Sequence, residues 1–114
     1  MTAYYLDASA LAKRYLIEVG TDWIRTITAS SRDDVILISD ITCVEVSAAI
    51  GARYRAATIT DQERGAAFDL LLRHAAEEYE LVPVDPIVVD RAMILTQTRR
   101  LRGYDAVQLA TALC

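Results

Sequence analysis

Three short aliphatic runs set between stretches of helical periodicity predict an α/β domain, with a parallel sheet and helices on both of its faces. The runs are residues 2–6, 35–38 and 81–84, each too short for a helix. The stretches between them are long enough to serve as crossover connections. A length of 114 residues fits one domain, and 54% hydrophobic against 25% charged residues leaves enough apolar surface to offset conformational entropy.

Residues 2–6 read as a buried first strand that Asp7 ends, and residues 9–16 are mostly good helix formers. Gly20 interrupts, and Trp23, Ile24 and Ile27 then recur at helical spacing until the polar run 30–34 marks a loop. Residues 35–38 read as a strand covered on both faces, after which Ser39 or Asp40 can cap a helix over 41–55. Thr60 to Glu63 has the spacing of a capping box and opens a further helix through Phe68, Leu71, Leu72 and Ala75. Within 81–84, Pro83 removes a ladder donor and predicts an edge strand. Asp85 and Pro86 supply a cap and a first-turn proline for the next helix, which is expected to end at the basic stretch 99–102 with Gly103 as its left-handed terminus. A last helix over 104–113 is apolar nearly all round and calls for cover on more than one side.

Charge and composition limit the chemistry. Twelve basic residues against 16 acidic ones give a net charge of −4, which excludes gross attraction to nucleic acid or anionic lipid, so any such contact must be local. All the cations but Lys13 are arginines. His74 is the single histidine, which excludes a two-histidine nuclease and an imidazole-based zinc site. Cys43 and Cys114 suit reduced thiols better than a disulfide framework, and His74, Cys43 and Trp23 are assigned to packing. The chain does not begin with a basic segment followed by an apolar run, and no apolar segment approaches the roughly 20 residues of a membrane span. A cytoplasmic protein without membrane contact is expected.

The chemistry must then rest on carboxylates. Asp7 leaves the carboxyl end of the first strand, where ligands bind in open parallel sheets, although a plain helix cap reads equally well there. Ser9 carries the same two readings. Ile41, Ala48, Ala49 and Ala52 trace an apolar stripe in which Glu45 fills the i+4 slot, and a carboxylate in such a position points to function because its desolvation is costly. Asp105 opens the last helix, where by itself it does no more than complement the helix dipole. Arg99, Arg100 and Arg102 precede it, either holding phosphates or solvating a helix end.

Three segments together resemble a known family. They are Tyr5-Leu-Asp7-Ala-Ser9 with the helix that follows, residues 39–45 ending in Glu45, and Leu101-Arg-Gly-Tyr-Asp105 with the last helix. Their order and spacing are similar to those of PIN-domain proteins, specifically the VapC-type ribonuclease toxins of bacterial toxin–antitoxin pairs, over the whole chain. The resemblance implies a three-layer PIN-like fold over residues 1–114 and a metal-dependent endoribonuclease. It carries the family's acidic cluster onto Asp7, Glu45 and Asp105 as catalytic and metal-binding residues, with Ser9, Arg99 and Arg102 toward the substrate. Carboxylates brought together repel, and a hard divalent cation, Mg²⁺ or Mn²⁺, relieves that repulsion. The implied partners are an RNA substrate, a cognate antitoxin whose arginine would enter the acidic cluster, and a second copy in a homodimer.

In the family a further strand returns beside the first and brings a fourth carboxylate, whereas this sequence ends at Cys114. A C-terminally incomplete domain is therefore expected, with a three-stranded sheet, the first strand at an exposed edge, and weak metal occupancy. Two other classes fall away: a phosphoryl-accepting receiver needs a late lysine, and a haloacid-dehalogenase-like phosphatase needs Asp where Ser9 stands. The remaining alternative is a non-catalytic module of the same fold whose carboxylates cap helices.

Overall fold

The structure is a computed structural model and describes residues 2–29 and 33–113. The elements run β1 (Ala3–Tyr5), α1 (Ala8–Tyr15), α2 (Thr21–Ile27), β2 (Val35–Ser39), α3 (Thr42–Arg55), α4 (Asp61–Glu77), β3 (Tyr79–Val82), α5 (Pro86–Thr98) and α6 (Gly103–Leu113). The strands form a parallel sheet in the order β1-β2-β3, so β1 lies at one edge and β3 at the other, as the sequence predicts. No helix among the described residues is long and apolar enough to cross a membrane.

Strand alternation divides the helices between two layers. Ile36 and Ile38 project to one face and join Leu11, Ile24, Val46, Ile50 and Leu71 in the main core. Tyr5 and Leu37 are paired in the ladder and face the other way, where the Tyr5 hydroxyl meets Gln108 of α6. α5 and α6 join through a cluster of their own, Val88, Ala92, Ala106 and Ala110. The α/β architecture with helices on both faces is thus observed.

Several boundaries differ from expectation for identifiable reasons. β3 begins two residues early at Tyr79 and stops before Pro83, which follows the strand and interrupts no ladder bond. Gly103 is the first residue of α6, and α5 ends instead on Arg99 in extended conformation. The left-handed glycine is Gly20, at φ 93°, where it turns the chain from α1 into α2. Ser39 accepts from the Ile41 N–H without capping α3, while Asp40 reaches across to accept from the Val84 N–H. Trp23 is 61% exposed and packs into no core. Along α6, Ala106 and Ala110 pack against α5 while the buried Gln108 faces β1 and α3, so the helix is covered on two sides and leaves Leu109 and Leu113 exposed on the rest.

The capping box of α4 forms as its spacing requires: Thr60 Oγ accepts from the Glu63 N–H at 3.1 Å and Glu63 Oε1 from the Thr60 N–H at 2.9 Å. Thr60→Ala should lower the unfolding free energy by about 1 kcal/mol in urea denaturation.

His74 is buried between α1 and β3, where the Tyr15 hydroxyl is 2.7 Å from Nδ1 and itself meets the Tyr79 hydroxyl. Arg14 closes the network on Tyr79 and Glu78. Burial pushes His74 below its ordinary value of 6.5, the Arg14 charge adds to this, and Glu78 opposes it. The unfolded chain therefore binds more protons than the folded one below pH 6.5, and folding stability falls as pH drops through that value. Urea midpoints should be flat above pH 7 and decline from 6.5 toward 5, and His74→Gln should remove that decline.

Candidate functional site at the carboxyl edge of the sheet

All three strands are parallel, so their carboxyl ends lie along one edge, and each is followed by an aspartate: Asp7 after β1, Asp40 after β2 and Asp85 after β3. Two of these cap helices in the same way. Asp7 Oδ1 accepts from the Ala10 N–H at 2.8 Å, and Asp85 Oδ1 from the Val88 N–H at 3.0 Å. Capping alone therefore does not set Asp7 apart. Position does, because Asp7 lines a cleft of about 430 Å³ together with Tyr5, Asp105, Gln108 and Leu109, and Asp85 does not.

Asp105 enters from the first turn of α6, exposed and on the same side as Gln108 one turn later. Glu45 stands in the first turn of α3, half-buried, with Oε1 accepting from Gln108 Nε2 at 2.7 Å. The buried stripe of α3 is Thr42, Val46 and Ile50, whereas Ala48 and Ala52 are exposed. Glu45 thus flanks the core-facing stripe and does not interrupt it, which corrects the expected apolar slot. Its partial burial is supported by the amide of Gln108, the kind of partner that a half-buried carboxylate requires.

The decisive residue that the sequence did not single out is Gln108. It is buried and binds three groups: Oε1 accepts from the Tyr5 hydroxyl at 2.7 Å, and Nε2 donates to Thr42 Oγ1 at 3.1 Å and to Glu45. Its only sequence signal is an amide within an otherwise apolar run of α6, between Val107 and Leu109. Electrostatics tie the cleft together as well. Burial raises the Tyr5 phenol above its ordinary value, a hydrogen bond with Thr111 opposes this, and the charges of Asp7 and Glu45 raise it further.

The remaining expected residues lie apart from this cleft. Ser9 is exposed on the first turn of α1 and does not line it. Arg99 and Arg102 are exposed in a separate shallow depression at the α5–α6 connection, although the Arg102 carbonyl accepts from the Ala106 N–H and so begins the helix that carries Asp105. Neither arginine forms an ion pair among the described residues.

The donor chemistry of Asp7, Glu45 and Asp105 fits a hard divalent cation, since all offer carboxylate oxygens. Their spacing is looser: among the described residues, no three acidic, histidine or cysteine side chains converge closely enough to hold a metal ion between them. No family model matches the chain, and no curated protein matches it.

Proposed function

We propose that this chain is a PIN-type, metal-dependent endoribonuclease and the toxin of a toxin–antitoxin pair. The observation that carries this reading is one cleft shared by Asp7 and Asp105, from opposite ends of the sequence, with Glu45 linked to it through Gln108. Asp7 and Asp105 would hold Mg²⁺ or Mn²⁺, and the cation, when bound, supplies Lewis-acid stabilisation of charge developing on the scissile phosphate. Glu45 would take a proton from the attacking water as its oxygen bonds to phosphorus, and the leaving oxygen departs with a proton from solvent. Arg99 and Arg102 hold neighbouring RNA phosphates, the local cationic contact that an acidic protein needs. Ser9, exposed two residues from Asp7, would touch substrate just outside the cleft. The partners are RNA, a cognate antitoxin that neutralises the acidic cluster with an arginine, and a second copy of the chain. The cell compartment that fits an RNA target is the cytoplasm.

A second reading has its own observation. The Asp7 cap bond to Ala10 suits a non-catalytic module whose carboxylates serve helix ends. Titration of Mn²⁺ into the protein separates the two. Saturable binding that Asp7→Asn abolishes is expected for the nuclease, and absence of any divalent-ion affinity would favour the module.

A further inference from the structure

We propose that Gln108 is the positioning residue of the cleft, holding the Glu45 carboxylate in place from α6 and setting Asp105 against the sheet. This rests on the nuclease reading for its effect on rate, but the positioning itself is open to a test that needs no activity. α5 and α6 share an apolar cluster of their own, separate from the main core beneath the sheet. Where α6 meets β1 and α3 beside the acidic residues, the amide of Gln108 is the polar hub: it binds Tyr5, Thr42 and Glu45 at once, while Thr111 adds a bond to the Tyr5 phenol alone.

The orientation of that amide is fixed by its neighbours. An ionised carboxylate only accepts, so the side of Gln108 facing Glu45 must be Nε2, and Oε1 is left to receive the Tyr5 hydroxyl. Thr42, fully buried, takes the second Nε2 proton. No other residue type delivers two donors and an acceptor from that place: Glu lacks the donors, Met and Leu lack both, and Asn has a shorter reach. One turn separates Gln108 from Asp105, so an error in the seating of α6 displaces both the third carboxylate and the partner of the second. A polar hub that is fully satisfied gives one arrangement, and a broken one permits several.

Two variants and one double variant test this on the full chain. Gln108→Met keeps the length and removes every hydrogen bond, and it should lower kcat for RNA cleavage about 10–100-fold with little change in KM. Gln108→Glu sets a second carboxylate against Glu45 and should lower the thermal midpoint. Combining it with Glu45→Gln restores a donor–acceptor pair with the roles exchanged, so the midpoint should recover beyond the sum of the single effects. Retained kcat in Gln108→Met alongside a lowered midpoint would reduce Gln108 to a packing residue and overturn the proposal. Additive midpoints in the double variant would overturn it too, because they would show that the two side chains do not bind each other. A wild-type chain that cleaves no RNA would defeat the nuclease reading, and the midpoint cycle would still decide whether Gln108 holds Glu45.

Discussion

Asp7→Asn should lower the rate of RNA cleavage by more than about 100-fold while leaving the unfolding free energy nearly unchanged. The two halves of that expectation come from different chemistry. Asparagine caps a helix about as well as aspartate, so the bond to the Ala10 N–H and the start of α1 survive. What is lost is the negative charge in the cleft, and with it an oxygen donor able to bind a divalent cation. Asp85→Asn provides the matching control, since Asp85 caps α5 with the same geometry outside the cleft, and its cleavage rate should equal that of the wild type. Asp7→Ala, by contrast, should lose both activity and about 1 kcal/mol of stability. Rates on a fluorescent RNA, read beside urea denaturation of each variant, separate charge from cap. Equal rates for wild type and Asp7→Asn would leave the aspartate with its structural role alone.

Leu11→Ala should cost about 2–5 kcal/mol, the largest stability effect expected in the molecule. Leu11 is fully buried on α1 and belongs to the cluster that includes Ile38, Val46 and Ile50. Removing its side chain leaves a cavity in the core between α1, which Asp7 caps, and α3, which carries Glu45. Domains of this size have a total stability of about 5–15 kcal/mol, so the loss is a large share of the whole. It should appear as a lower urea midpoint with an unchanged slope. A loss below 1 kcal/mol would mean that the α1 core closes over the missing side chain.

What the sequence made legible follows from how local each signal is. The caps at Thr60, Asp7 and Asp85 could be read directly, because each depends on residues within one turn. The central strand was equally plain, since Val35 to Ile38 is β-branched or aliphatic without interruption. The start of the β3 edge strand was not. Tyr79 and Glu80 follow α4 after the single residue Glu78, and a charged, half-exposed edge carries little apolar pattern. On α3, alanines misled the choice of stripe, because Ala is compatible with both exposed and buried helix faces and Val46 and Ile50 carry the real core side. Gln108 was hidden for a different reason. Its importance lies in partners from β1 and α3, more than 60 positions away, and periodicity within α6 contains no trace of them. Asp7, Glu45 and Asp105 stand out in the sequence, but how far apart they lie does not, since side-chain spacing across elements is decided by packing.

Divalent-cation-dependent cleavage by the wild-type chain tests the metal-dependent nuclease most directly. Purified protein is treated with EDTA, incubated with labelled RNA, and then given Mn²⁺ or Mg²⁺ in excess. A metal-dependent endoribonuclease gives no cleavage in EDTA and internal cleavage of the RNA after either cation is restored, with none for Asp7→Asn under the same conditions. Cleavage that proceeds unchanged in EDTA, or RNA left intact after the cations are restored, would contradict that function.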